Sequence, residues 1–323
     1  MIIPITNFDI VFLSYDEPNA DRNYADLLEK APWAKRVHGV KGFDAAHKAA
    51  AAESETDRFI TVDADNIIRD EFFTISIDMT KIGRHDTVSW AAKNVVNGLV
   101  YGNGGVKMWP KHVVEQMRTH EAAEDDKSQV DFCWDINYFQ MNNIYSDVYN
   151  NASAYQAYRA GFREGVKLLL DKGIVVDPRY LKERVYDRNY KRMLVWASVG
   201  ADVENGLWAM FGSRLGAFLA NCARDSYDFR TVKDFEWHDN FWKEKVQPKF
   251  EGDSARCRAT GWSYSVEKLN NEIHLLGEEL RSILGLEIAE LDTNASRFFK
   301  ESFINPPRLG AMVREDQVNN TIN

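Results

Sequence analysis

Over the first 110 residues, short apolar runs alternate with segments whose apolar positions recur at helical spacing. Asp9 to Ser14 predicts a buried strand that runs into a polar loop, Tyr15 to Asn19. Residues 20–30 have helical spacing, residues 34–40 read as a second strand, and the alanine-rich run 43–53 as a second helix. Arg58 to Val62 predicts a third strand that ends at Asp63. Strands alternating with helices of this length predict a parallel sheet with right-handed crossovers. Two further strands are expected at 87–92 and 104–108, separated by an Asn- and Gly-rich stretch. Pro110 is expected to open a helix, where its fixed φ and missing donor cost nothing.

From about Ala154 the pattern becomes helical. Residues 155–172, 178–197, 206–223 and 266–284 carry apolar positions at i, i+3 and i+4. Gly173 and Gly200 stand where helix C-caps are expected, and the chain after Thr293 reads as an extended arm. No repeat or low-complexity linker interrupts it. The expected organisation is an α/β core over 1–150 and a mainly helical region over 151–323 packed on it.

Composition narrows the class. A chain of 323 residues that is 45% hydrophobic and 28% charged can bury a large core. Three cysteines, Cys133, Cys222 and Cys257, make neither an even disulfide framework nor a four-ligand zinc site. No basic start with a small-residue cleavage site opens the chain, and no apolar run approaches the roughly 18 residues that span a bilayer. A soluble, cytoplasmic protein with no membrane partner is expected. The formal net charge of −9 argues against coating nucleic acid by charge neutralisation, so any such contact requires a local basic patch. The same charge suits a site that gathers divalent cations.

The chemistry concentrates at Asp63-Ala64-Asp65. Two carboxylates one residue apart lie at the carboxyl end of a predicted strand, where ligands bind in open α/β sheets. They can hold Mg²⁺ or Mn²⁺ and still leave room for phosphate oxygens. A diphosphate leaving group needs such a cation because negative charge builds on it during departure. Read alone, the same residues are a turn cap at a strand end.

The run from Gly42 to Ile68, with a helix before a strand ending in Asp-x-Asp, resembles the nucleotide-sugar half of GT-A glycosyltransferases, above all the family-2-like group. Closer still, residues 12–20, 36–42 and 102–110 resemble glycosyltransferases encoded by tailed bacteriophages, such as the arabinosyltransferases of T-even-like phages. The likeness covers residues 8–120 well and 200–216 loosely. It implies a GT-A, Rossmann-like sheet flanked by helices. It further implies transfer of an arabinosyl- or glucosyl-type sugar from a nucleotide-diphosphate donor to hydroxymethylated pyrimidine in phage DNA, in the host cytoplasm. Ser14, Tyr15, Asp16 and Glu17 would then hold base and ribose, and Asp65 would be the main metal ligand, with Asp63 near the ribose or the metal. Gly42, His47, Ala64, Gly104 and Gly105 would complete the donor side. His47-Lys48 replaces the Arg-Asn usual in the group, which leaves the role of that position open.

Further candidates keep two readings each. Gly102 to Gly105 either approach a sugar or phosphate through bare backbone or form a tight hairpin turn. Asp135, then Asp131, are the candidates to accept the acceptor's proton, ahead of Glu121; the alternative is a helix cap beside core aromatics. Trp134 could stack on a sugar or base. His238 is either a third metal ligand or a core histidine among aromatics. Residues 200–206 form an acceptor-side loop or a helix N-cap. Arg179, Lys182, Arg184, Arg188, Lys191 and Arg192, interleaved with tyrosines, form either a DNA-phosphate face or a solvated one. Competing functions are transfer to a glycan or protein and nucleotidyl transfer. The latter lacks its usual Gly-rich basic loop after the first strand.

Overall fold

The computed structural model describes residues 1–101, 105–119, 137–306 and 319–321. The protein is mixed α/β, and its described residues fall into two units: 1–101, 105–119, 137–149, 304–306 and 319–321 in the first, 150–303 in the second.

The first unit contains, in chain order, β1 (Ile2–Pro4), β2 (Asp9–Ser14), α1 (Ala20–Lys30), β3 (Lys35–His38), α2 (Phe43–Glu53), β4 (Arg58–Asp63) and β5 (Asn66–Ile68). It continues with β6 (Ile75–Asp78), β7 (Thr87–Asn94), β8 (Val100–Tyr101), β9 (Val106–Pro110), α3 (Lys111–Gln116) and β10 (Tyr138–Val148). The main sheet has the order β3-β2-β4-β9-β7-β10-β5, with β8 paired to β7. β2, β3 and β4 are parallel, as the alternating pattern predicts. β9 runs antiparallel to both β4 and β7, and β5 antiparallel to β10, so the sheet as a whole is mixed.

The chain steps from β2 outward to β3 and then back across β2 to β4. Right-handed crossovers in opposite directions place α1 and α2 on opposite faces. Leu27 and Ala31 at α1 join Ile10, Phe12, Ile60, Val62, Val106 and Met108 in one apolar core. Across the sheet, His47 of α2 packs edge-on against Trp109, with ring centroids 5.2 Å apart. Strand alternation therefore gives β9 an apolar face, Val106 and Met108, and a second face carrying Lys107 and Trp109.

The second unit contains α4 (Ala154–Lys167), β11 (Leu170–Asp171), β12 (Ile174–Val175), α5 (Leu181–Arg184), α6 (Asp187–Ser198) and α7 (Gly206–Cys222). It closes with α8 (Phe235–Phe241), β13 (Glu251–Arg256), β14 (Ser263–Tyr264), α9 (Val266–Leu284) and α10 (Thr293–Ser302). α4 and α7 touch backbone to backbone. A Cβ on Gly161 would stand 2.0 Å from the Ala209 carbonyl oxygen, and one on Gly212 would stand 2.1 Å from that of Tyr158. Ser265 caps α9 by accepting from Lys268 N, and Gly285 ends it in the left-handed conformation.

Three expectations are corrected here. Residues 178–197 are not one helix, because the backbone is extended at Val185 and Tyr186. Asp187 then sits in the first turn of α6, where its charge favours a fresh N-terminus. Gly173 is no helix cap: the predicted helix 155–172 stops at Lys167, and Lys172 and Gly173 share positive φ as the two-residue turn of the β11–β12 hairpin. Residues 293–302 of the expected arm are helical, because Asp292 accepts from Ala295 N and starts α10. No helix among the described residues is long and apolar enough to cross a membrane.

Candidate active site at the end of strand β4

The strand order reverses between β2 and β4, and in doubly wound sheets the crevice at that point binds ligands. Leu13 lies opposite Asp63 in the register, so the β2 loop (15–19) and the Asp63–Asn66 turn leave the sheet side by side.

The turn is pinned from three sides. Asp63 N donates to Gly105 O at 2.8 Å, the buried Asn23 of α1 donates through Nδ2 to Ala64 O at 2.9 Å, and Tyr149 N donates to Asp65 O at 2.6 Å. Tyr149 is held in turn by Asn19, whose Nδ2 donates to its carbonyl at 2.9 Å. Asn66 opens β5 opposite Val148 and donates through Nδ2 to Asp65 Oδ1 at 2.8 Å. Its own Oδ1 is buried and has no hydrogen-bond partner among the described residues.

Both aspartates are partly exposed. Asp63 Oδ2 lies 3.8 Å from Nζ of Lys107, a side chain buried to 4% exposure. Burial pushes the Asp65 carboxyl up to about 7, and the charges of Asp63 and Glu17 push the same way. Glu17 is fixed by accepting from Tyr15 N at 2.8 Å. The pair thus combines a salt-bridged carboxylate with one whose nearest charges repel it. That donor set suits a hard cation, since Mg²⁺ takes one or two carboxylates from a protein and completes its shell with water and substrate phosphates. Among the described residues no group of three His, Cys, Asp or Glu side chains is placed to hold a metal ion.

Of the other donor-side candidates, Ser14 is buried; its Oγ accepts from Arg36 Nε at 2.9 Å and lies 3.0 Å from His38 Nδ1. Tyr15 and Asp16 are exposed, and Ala64 is buried beneath the turn. Gly42 precedes α2 with φ of 99°, a conformation that glycine supplies at low cost. Gly105 is buried against the turn. His47, expected on the donor side, is only 2% exposed, stacked on Phe43 and edge-on to Trp109. Burial and the Lys107 charge hold it near 3, so it is a neutral residue of the α2–sheet packing.

His238 lies in the second unit, 1% exposed between Phe162 and Trp237. Its Nε2 donates to Val232 O at 3.0 Å, and burial lowers its pKa to about 4. This is the core-histidine arrangement, and the third-ligand reading gains nothing from it. Asp131, Asp135, Trp134, Glu121 and Gly104 lie outside the described residues. In the basic region Arg179, Lys182, Arg184 and Lys191 pair with Asp177, Glu287, Asp171 and Asp187 at 2.7–3.0 Å, which cancels much of the expected phosphate-facing charge. Arg192 donates to Asn189, and Arg188 makes none of these pairs. In the 200–206 loop, Asn205 precedes α7 at φ of 57° and donates through Nδ2 to Asn151 O, as befits a helix lead-in.

Asn23, Asn66 and Lys107 are absent from the sequence candidates. Asn66 directly follows the motif, and Lys107 is a lone cation in an apolar strand; both are signals that pattern reading could have used. Comparison with protein-family models, with curated proteins and with solved structures gives no significant match.

Proposed function

We propose that this chain is a divalent-cation-dependent glycosyltransferase of the GT-A type that uses a nucleotide-diphosphate sugar. The supporting observation is the position of Asp63 and Asp65, at the carboxyl end of β4, beside the β2 loop and at the reversal of strand order. In this reading Lys107 and the Gly105 carbonyl orient Asp63 from the sheet side, and Asn66 and Tyr149 orient Asp65. Ser14, Tyr15 and Glu17 receive the nucleoside end of the donor. Bound Mn²⁺ or Mg²⁺ would supply charge stabilisation to the departing diphosphate. Asp135, then Asp131, are proposed to accept the acceptor's proton.

The proposed acceptor is a hydroxymethylated pyrimidine in phage DNA, supported by the resemblance of residues 12–20, 36–42 and 102–110. A second reading, transfer to a glycan or protein, is favoured by the acid pairing of four basic side chains over residues 179–191. Purified protein, Mn²⁺ and a panel of nucleotide sugars are offered to hydroxymethylated DNA, unmodified DNA and oligosaccharides, and mass spectrometry reads the product. Sugar on hydroxymethylated DNA alone supports the first reading, and sugar on a saccharide supports the second. No donor turnover with any acceptor, or turnover undiminished in Asp65→Ala, contradicts the site.

A further inference from the structure

We propose that Lys107 is a built-in counter-ion that competes with the divalent cation for Asp63, so that the cation binds weakly alone and tightly only together with the diphosphate. This rests on the cation site proposed above and goes beyond it by assigning the coupling between its two ligands to one residue.

Lys107 lies mid-strand on β9, opposite Thr61 of β4 and Ser89 of β7, all three buried. Its strand neighbours Val106 and Met108 point into the apolar core on the other face. An ammonium so enclosed needs charge compensation, because its desolvation is otherwise unrecovered. Asp63 is one of its partners, at 3.8 Å, and Asp63 is also the group that reaches outward, its side chain 40% exposed. Beyond Asp63 the charges change sign, since Asp65 feels both Asp63 and Glu17 as repulsive neighbours. The order is therefore ammonium, shared carboxylate, then further carboxylates.

A cation seated on Asp63 and Asp65 shares Asp63 with the ammonium and is repelled by it from a few ångströms away. Even with the full screening of water, one charge against two at about 6 Å weakens binding on the order of tenfold, which is the least effect expected here. A diphosphate brings negative charge to the same place and offsets that repulsion. Cation and diphosphate affinities are then coupled, and the coupling is reciprocal.

The test is a Mn²⁺ titration followed by electron paramagnetic resonance, with and without uridine diphosphate, on the intact chain. Wild type, Lys107→Met, Lys107→Gln and Lys107→Arg are compared, with thermal melts run in parallel. Wild type is expected to bind Mn²⁺ weakly alone and at least about tenfold more tightly with the diphosphate. The neutral variants should bind Mn²⁺ alone about tenfold more tightly than wild type and show reduced coupling, and Lys107→Arg should keep wild-type behaviour. A merely structural lysine predicts the reverse, weaker binding on its removal. Folded neutral variants with unchanged or weaker Mn²⁺ affinity overturn the proposal and leave the cation site standing. If both neutral variants unfold, wild type decides: equal Mn²⁺ affinity with and without the diphosphate overturns it. A wild type that binds no Mn²⁺ under either condition removes this proposal and the cation site together.

Discussion

Gly105 and Asn66 occupy one another's margin. A Cβ on Gly105 would stand 2.0 Å from Asn66 Nδ2 and 2.9 Å from Asp63 Cβ. Asn66 cannot withdraw easily, because it is buried in the sheet and holds Asp65 Oδ1. Gly105→Ala should therefore displace the aspartate turn rather than unfold the protein. Overpacking of this kind costs about 1–3 kcal/mol of stability. A displacement near 1 Å at reacting groups costs about 100-fold in rate. Donor turnover in Gly105→Ala should accordingly fall by about that factor while calorimetry still shows a cooperative melt.

Asp65 predicts a pH signature. Its folded carboxyl is pushed up to about 7 from an ordinary 3.8, so the folded state binds the proton more strongly than the unfolded chain. Its contribution to stability is complete below about 4 and is lost as pH rises through about 7. Buried His47 and His238, lowered to about 3 and about 4, act in the opposite sense: their contribution is present above about 6.5 and is lost as pH falls. The difference between wild type and Asp65→Asn isolates the carboxylate. Between pH 5 and 8 without metal, Asp65→Asn should gain melting temperature relative to wild type as pH rises, and Mn²⁺ should narrow the gap. A constant difference across that range contradicts the assignment.

The α4–α7 contact predicts stability effects of a different origin. Gly161, Gly165, Gly212 and Gly216 each face backbone of the other helix, and added Cβ atoms would stand 2.0–2.3 Å from its carbonyl oxygens. Any of the four changed to alanine should lose about 1–3 kcal/mol or more. That exceeds the gain of up to about 1 kcal/mol which alanine brings to a helix interior. Denaturant titration reads the sign, and a stabilised Gly161→Ala would contradict this packing.

Arg214 is fully buried in the second unit, donating to the carbonyls of Ala197 and Ile273 and to both oxygens of Glu290. Burial lowers the Arg214 pKa and raises that of Glu290, but their hydrogen bonds to one another favour both charged forms, and the Glu290 carboxyl stays below its ordinary range. Removing one partner leaves the other charge uncompensated, a loss of about 3–5 kcal/mol for a buried pair. Glu290→Gln should approach that loss because it strands a fully buried guanidinium, and Arg214→Met should lose less because the carboxylate it leaves is partly exposed and still meets Arg281. Urea titrations of the two variants give the comparison.

The sequence was most legible where local pattern and tertiary role agree. Residues 20–30, 43–53 and 266–284 form the expected helices because their apolar spacing matches the face they bury. Asp63 falls at the strand end expected of it for the same reason, an uninterrupted apolar run closed by a charge. Partnership across the chain was not legible. Nothing local to Lys107 says that it meets Asp63, and nothing near Arg214 names Glu290. Residues 178–197 have helical periodicity throughout, yet the extended backbone at Val185 and Tyr186 divides them. The four-residue spacing of the α4 and α7 glycines is a local signal, but its meaning depends on which helix lies opposite.

The most direct test of the aspartate pair is a crystal structure of the protein grown with Mn²⁺ and a nucleoside diphosphate. The cation should lie about 2.2 Å from a carboxylate oxygen of Asp65, with Asp63 beside it and a phosphate oxygen in its shell. A cation bound elsewhere, with Asp65 still turned to Asn66 and no phosphate near β4, would contradict it.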